Sequence, residues 1–316
     1  MDIKAIISDD LGIPTSLIDE ALARARLDVK KFVIPKRNGQ KRVILQPSKK
    51  LKTIQYWLII NIFKKLNVHS AAFAYRDNLS ILENAEVHKG NKYFLKMDLK
   101  DFFPSINYSD LIPLIASWHS KETPSWTLSK NAEVLIRLSC FYQNDFLPVG
   151  YPSSPIISNV VMYKFDTEIS NLINDMEKFG EVIYTRYADD LVFSTNKQGA
   201  CNLLLKAITD YIAKSESPKL VVNTAKTKFG SSSGGTASVT GLKICNEGRI
   251  TIHRKQKDHI RLLLSLYGKS ILNPEEYNSL LGHLSYIHHV DPAFYSKLQS
   301  KYFMQIAELR AANKAS

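Results

Sequence analysis

The chain has 316 residues, 45% hydrophobic and 23% charged, with 42 Lys or Arg against 30 Asp or Glu, a formal net charge of +12 and a pI near 9.4. That length can bury a core shared by two or three subdomains, and the charge points to polyanionic partners. Apolar runs such as Tyr56–Ile60 fall far below the roughly 18 residues of a membrane span, and the three scattered cysteines, Cys140, Cys201 and Cys245, exclude a disulfide framework or zinc spacing.

The opening MDIKAIISDD has no basic, apolar, small-residue succession, so a signal peptide is not expected and a reducing cytoplasm is. The adjacent Asp9 and Asp10 sit in an acidic segment and carry no chemistry by themselves. Thr15 or Ser16, with Asp19 and Glu20 three or four residues on, predicts a capped scaffold helix burying Leu17, Ile18, Ala21, Leu22 and Ala25. Next, Phe32–Ile34 and Val43–Leu45 flank Asn38-Gly39, a strong hairpin signal, with Lys36, Arg37, Lys41 and Arg42 beside it. From Val29 to Arg76 there are twelve Lys or Arg and no acid, which reads as a phosphate-binding surface rather than a merely solvated face. Ser48 can cap a helix whose stripe is Leu51, Ile54, Leu58 and Ile62. Asn84 and His88, four apart, could simply cap or lock a turn.

Tyr93–Asp98 is an apolar run closed by an acid and followed by Leu99, Phe102, Phe103, Pro104 and Ser105. Asp110 to Phe146 reads as mixed helix, ending at Leu147-Pro148-Val149-Gly150-Tyr151-Pro152-Ser153-Ser154-Pro155, where Ser154 and Pro155 suit the start of another helix. Val182–Thr195, VIYTRYADDLVFST, predicts two short strands meeting at a tight turn that carries Asp189 and Asp190. Adjacent carboxylates on such a turn repel unless a cation is present, and Mg²⁺ is often held by one or two carboxylates plus substrate phosphates. If the two strand segments lie side by side, Asp98 and Asp189 converge and can hold two Mg²⁺ about 3.5–4 Å apart, the arrangement that clamps an in-line phosphoryl displacement. Neighbouring strand side chains diverge, which gives Asp190 a supporting place.

Beyond the hairpin, Leu203, Leu204, Ala207, Ile208 and Tyr211 predict a helix, Leu220–Thr227 contains Lys226, and a flexible loop Ser231–Gly235 precedes Val239, Thr240 and Gly241. From Arg249 onward ten Lys or Arg face five acids in helical sequence, with Arg254, Lys255, Lys257 and Arg261 at a helix start. His288 and His289 have no acids or cysteines at metal spacing.

Taken together, these segments resemble the reverse transcriptases, and the retron-type bacterial ones in particular. Tyr93–Ser105 and the Tyr-Ala-Asp-Asp turn resemble motifs A and C, Arg42–Ser48 the RxIxxPS signature, Leu147–Pro155 the LPQGxPxSP motif, and Leu220–Thr227 motif D. Asn84-Ala85-x-x-His88 and Val239-Thr240-Gly241 match the narrower NAxxH and VTG signatures. One departure is Val149, a side chain that cannot hydrogen-bond to the nucleic acid, where the family keeps Gln. The resemblance, covering about Arg24 to Lys257, implies an α+β right-hand polymerase: fingers (1–92), a palm of antiparallel sheet backed by helices (93–245, with a helical insertion at 108–147) and a small helical thumb (246–316). It implies catalytic and metal-binding Asp98, Asp189 and Asp190 with two Mg²⁺. Lys36, Lys41, Arg42, Phe103 and Lys226 would bind dNTP, Phe103 by clashing with a 2′-hydroxyl and Lys226 near the departing pyrophosphate. Asn84, His88, Gly150, Val239, Thr240, Gly241, Arg254, Lys255, Lys257 and Arg261 would contact nucleic acid. The implied partners are dNTPs, a cognate non-coding RNA (msr-msd), its msDNA product with a 2′-5′ link, and an effector or toxin protein in anti-phage defence, with no membrane. A group II intron-like or other defence-associated reverse transcriptase, and a non-catalytic RNA-binding scaffold, are the alternatives.

Overall fold

A computed structural model describes residues 2–35, 39, 41–118 and 129–315. The N-terminal part holds α1 (Ile3–Leu11), α2 (Thr15–Ala23), an antiparallel ribbon of β1 (Val29–Pro35) and β2 (Lys41–Pro47), and α3 (Lys49–Asn61). After α4 (Ile81–Glu86) come β3 (Tyr93–Asp98), α5 (Tyr108–Ala116), α6 (Lys130–Cys140), α7 (Ser154–Val161), α8 (Tyr163–Leu172) and α9 (Met176–Phe179). Then follow β4 (Val182–Tyr187), β5 (Asp190–Thr195), α10 (Ala200–Lys214) and β6 (Lys228–Ser231). The chain closes with β7 (Ser238–Val239), β8 (Leu242–Ile244), β9 (Ile250–Thr251), α11 (Arg254–Gly268), α12 (Tyr277–Val290), α13 (Pro292–Lys301) and α14 (Phe303–Ala315).

The central sheet is antiparallel, in the order β4-β5-β3-β6. Side chains alternate between its faces, and both faces are covered. Leu95, Met97, Tyr184, Leu191 and Phe193 join the larger core with α7, α8 and α10, whereas Phe94 and Val192 join a second core with Ala85, the β7-β8-β9 sheet and the C-terminal helices. Burial on two faces explains why these strands read as nearly continuous apolar runs. The small sheet spans 238–251, so a division at 245/246 falls inside a packed unit rather than in a linker.

Local signals account for most element starts. Ser48 Oγ accepts from the Leu51 N–H, capping α3, and Ser80 with Glu83 forms a full capping box on α4. Two expected caps are not made. Helix α2 begins after Pro14 without a side-chain cap, Asp19 pairs with Lys4 instead, and Leu17 lies exposed. Ser154 is the first residue of α7, and its hydroxyl donates back to the Pro148 carbonyl at 2.6 Å. The loop expected from Ser231 starts as the end of β6, paired with Tyr93. Asp10, inert in sequence terms, accepts from Trp57 Nε1 at 2.7 Å and ties α1 to α3.

Candidate active site

Register places the acids. In the β3-β5 ladder Asp98 stands directly opposite Asp190, so their side chains leave the same face at the same end of the sheet. The β4-β5 hairpin closes at Tyr187 opposite Asp190, leaving Ala188 and Asp189 as its two turn residues. Ala188 has φ 57°, the positive value that primed hairpin turns need at their first position. The Asp189 carbonyl accepts from the Leu99 N–H at 3.0 Å, which pins the turn to the residue after Asp98. Beneath it, buried Arg186 donates to Asp166 of α8 through Nε and, at 2.7 Å, Nη2, while Tyr184 donates to the same carboxylate. This network anchors β4 to the helices behind.

Two lysines and an amide meet the carboxylates. Asp98, 5% exposed, accepts from Asn223 Nδ2 at 2.9 Å and from Lys226 Nζ at 2.8 Å, and its carbonyl accepts from the Asn223 N–H at 2.7 Å. Lys96 Nζ lies 3.1 Å from Asp190. Asp189 has its carboxyl pushed up by burial first, then by Asp190 and Asp98, against opposing pulls from a backbone hydrogen bond and, more weakly, from Lys226. The hydrogen bond to Asp98 raises the Lys226 ammonium in turn, although that side chain is 56% exposed. Asn223 and Lys96 were invisible in the sequence because nothing in their spacing reports cross-strand register.

Among the described residues, no three His, Cys, Asp or Glu side chains form a finished metal cage. The donors present nevertheless fit a hard divalent cation. Three carboxylates crowd one sheet end, the charge on Asp190 raises Asp189 beyond what burial does, and Lys96 and Lys226 offset the excess. Such an ion needs only one or two carboxylates, with water and phosphates completing its shell.

Phe103, five residues past Asp98, is half-buried, its ring 5.3 Å from that of buried Phe102 and 6.3 Å from that of Tyr75. Lys41 and Arg42 are exposed on β2; Lys36, with Arg37 and Asn38 of the expected hairpin turn, lies outside the described residues. A cleft of about 560 Å³ between α10 and the Val222–Phe229 segment contains none of the three aspartates.

Several residues expected at nucleic acid are buried or engaged within the protein. His88 is fully buried against the sheet, between Ser194 Oγ at 2.7 Å and Thr185 Oγ1 at 2.8 Å, and burial pushes its imidazole down to about 3. Asn84 and Val239 are also fully buried, because α4 and β7 pack on each other. Thr240, φ 45°, donates to the Ile81 carbonyl at 3.0 Å, and Gly241 is exposed at the turn. Gly150 approaches protein rather than open space: a Cβ there would stand 2.5 Å from the Leu45 carbonyl oxygen. Lys257 is engaged within the C-terminal helices, 2.8 Å from buried Asp291 and over the Phe294 ring. Arg261 pairs with Asp258 at 2.8 Å, Arg254 is almost wholly exposed, and Lys255 is exposed.

Residues 34–263 match the family described as reverse transcriptase (RNA-dependent DNA polymerase). The chain is 43% identical over 279 residues to the retron Ec73 reverse transcriptase of Escherichia coli, covering 88% of each. It is 31% identical over 287 residues to the retron Ec83 reverse transcriptase of the same organism, covering 89% of this chain and 88% of the other. Among solved structures, apo telomerase from Candida tropicalis aligns with a TM-score of 0.53 at 12% identity, over 89% of this chain and 58% of the telomerase. The chain thus spans little more than half of that telomerase, and the likeness is one of fold.

Proposed function

The chain belongs to the reverse transcriptase family, in its retron-type bacterial branch, with a right-hand polymerase fold, and from that premise we propose that Asp98, Asp189 and Asp190 direct nucleotidyl transfer onto a primer hydroxyl. It is an RNA-directed DNA polymerase, and an RNA template is its partner. The observation that carries the site reading is the register setting Asp98 opposite Asp190, with Asp189 on the adjoining turn.

Two Mg²⁺ held there would supply activation of the attacking hydroxyl and neutralisation of the leaving pyrophosphate. Asp98 and Asp189 hold the ions and Asp190, steadied by Lys96, supports them. Lys226, once released from Asp98, neutralises the pyrophosphate or donates its proton to it. Lys41 and Arg42, with Lys36, grip the triphosphate of a dNTP or the template backbone. Phe103 lies against the sugar and disfavours a 2′-hydroxyl. Gly241, Arg254, Lys255 and Arg261 face the nucleic acid. By the same reading the fingers are 1–92, the palm 93–245 with the 108–147 insertion and the thumb 246–316, the last boundary cutting through the β7-β8-β9 sheet that joins palm to thumb.

On this reading the enzyme primes from a 2′-hydroxyl of its own structured non-coding RNA (msr-msd). It makes a short single-stranded DNA (msDNA) joined by a 2′-5′ bond, and it serves anti-phage defence beside an effector protein in the cytoplasm. No helix among the described residues is long and apolar enough to cross a membrane. Labelled dNTP incorporation on an RNA template with Mg²⁺ tests the chemistry: Asp189→Asn should lose activity at least about a hundredfold, and equal signals from variant and wild type refute it. Nucleic acid that co-purifies and is shortened by both RNase and DNase is the outcome expected for the covalent RNA-DNA product; pure RNA or none speaks against it.

A further inference from the structure

Tyr75 is the residue next to the site that no motif announced. Its backbone has φ 61°, an outlying value for an aromatic residue that persists only where the surroundings impose it. The surroundings do so here. Ala72 pairs in parallel with Arg186 of β4, the Phe73 N–H donates to the Arg186 carbonyl at 2.9 Å, and Asn159 Nδ2 donates to the Ala74 carbonyl at 2.8 Å. The segment 71–75 is thereby fastened to the strand that ends in the Asp189 turn.

Tyr75 so presented is 47% exposed. Its ring lies 6.3 Å from that of Phe103 at 53°, while Phe102 supports Phe103 from another direction at 5.3 Å and 67°. Its hydroxyl, raised by burial, also senses Asp189, Tyr187 and, with the opposite sign, Arg42. Tyr75 therefore stands against Phe103, on a segment fastened to the strand that leads into the Asp189 turn.

We propose that Tyr75 is a positioning residue for Phe103: it backs that ring, fixes the depth of the space between it and the aspartates, and so helps set the preference for a deoxynucleotide over a ribonucleotide. The proposal rests on the sugar-facing role assigned to Phe103. Removal of the backing lets Phe103 retreat and admits a 2′-hydroxyl. Removal of the tyrosine hydroxyl alone leaves the wall in place.

The experiment measures kcat/KM for a dNTP and for the matching rNTP, using full-length protein on an RNA template with Mg²⁺. Tyr75→Ala should lower the deoxy preference by roughly threefold to tenfold, the factor that one aromatic contact carries, and Tyr75→Phe should restore it to within about twofold of wild type. Phe103→Ala should lower it further. If Tyr75→Ala does not fold, as read by its thermal melt, Tyr75→Leu is measured in its place and should also lose preference, since it fills volume without a flat face. An unchanged ratio in the folded Ala or Leu variant, with Phe103→Ala altered, overturns the proposal. An unchanged ratio in Phe103→Ala overturns it together with the sugar-facing role. No dNTP incorporation by the wild type overturns the polymerase reading itself.

Discussion

His88 is a titratable side chain enclosed by uncharged partners, Ser194 and Thr185, with Asn91 donating to the same Ser194 hydroxyl at 2.8 Å. Burial lowers its folded-state value from 6.5 to about 3. Below 6.5 the unfolded chain takes up a proton that the folded chain refuses, so its stabilising contribution is complete above that pH and is lost as pH falls toward 3. The expected slope is about 1.4 kcal/mol per pH unit. Urea melts between pH 6.5 and 5, where most carboxylates remain ionised, should show it, and His88→Gln should flatten the profile; an unchanged profile would mean the ring is not enclosed. Gly150 makes a second residue-scale case. With φ 110° and a would-be Cβ 2.8 Å from Ile44 Cγ2 as well as 2.5 Å from the Leu45 carbonyl oxygen, Gly150→Ala must shift backbone against backbone. It should cost roughly 2–4 kcal/mol in a denaturant melt. A neutral result would show that the loop can move away from β2.

At the scale of elements, β4 depends on one buried pair. Arg186 and Asp166 are both fully buried, and the guanidinium also donates to Asn159 at 3.1 Å. Removal of one partner strands the other's charge, so Asp166→Ala should destabilise by about 3–5 kcal/mol. It should also loosen the segment 71–75, because the same network holds Ala74; hydrogen exchange at Phe73 and Arg186 would report this, and slow exchange retained at both would detach the network from that segment. The strands β3, β4 and β5 and the helices α3 and α10 were legible in the sequence, since burial on two faces or one stripe writes a periodic apolar pattern. The partners of the clustered acids were not. Lys96 and Asn223 act across strands, and Arg186 in a strand reads as a surface cation until Asp166 is placed beside it. Asn84 and His88 show the converse: a signature marks their positions, but only the fold reveals that both are fully buried and that His88 bonds Ser194 and Thr185 of the sheet.

For the whole molecule, a net charge of +12 predicts salt-sensitive binding to RNA, but the fold decides which cations contribute. Arg254 has a side chain 94% exposed, whereas Lys257, three residues on, is 19% exposed and held by Asp291, which also accepts from Thr251 and caps α13 through the Phe294 N–H. The two look equivalent as letters in a basic run; folding separates a charge available to phosphate from one consumed in packing. Neutralising one phosphate-binding cation reduces the slope of log affinity against log salt by about 0.7 on single strands or 0.9 on duplex. Arg254→Gln and Lys255→Gln should each lower that slope by an amount of this order and leave the melting temperature nearly unchanged. Lys257→Met should do the reverse, keeping the slope while lowering the melt, because Asp291 is left buried with its cation removed. Filter-binding titrations across a salt series, run beside thermal melts of the same variants, distinguish the two behaviours. A slope that drops for Lys257→Met without loss of stability would place that lysine on the RNA and require the Asp291 pair to open when RNA binds.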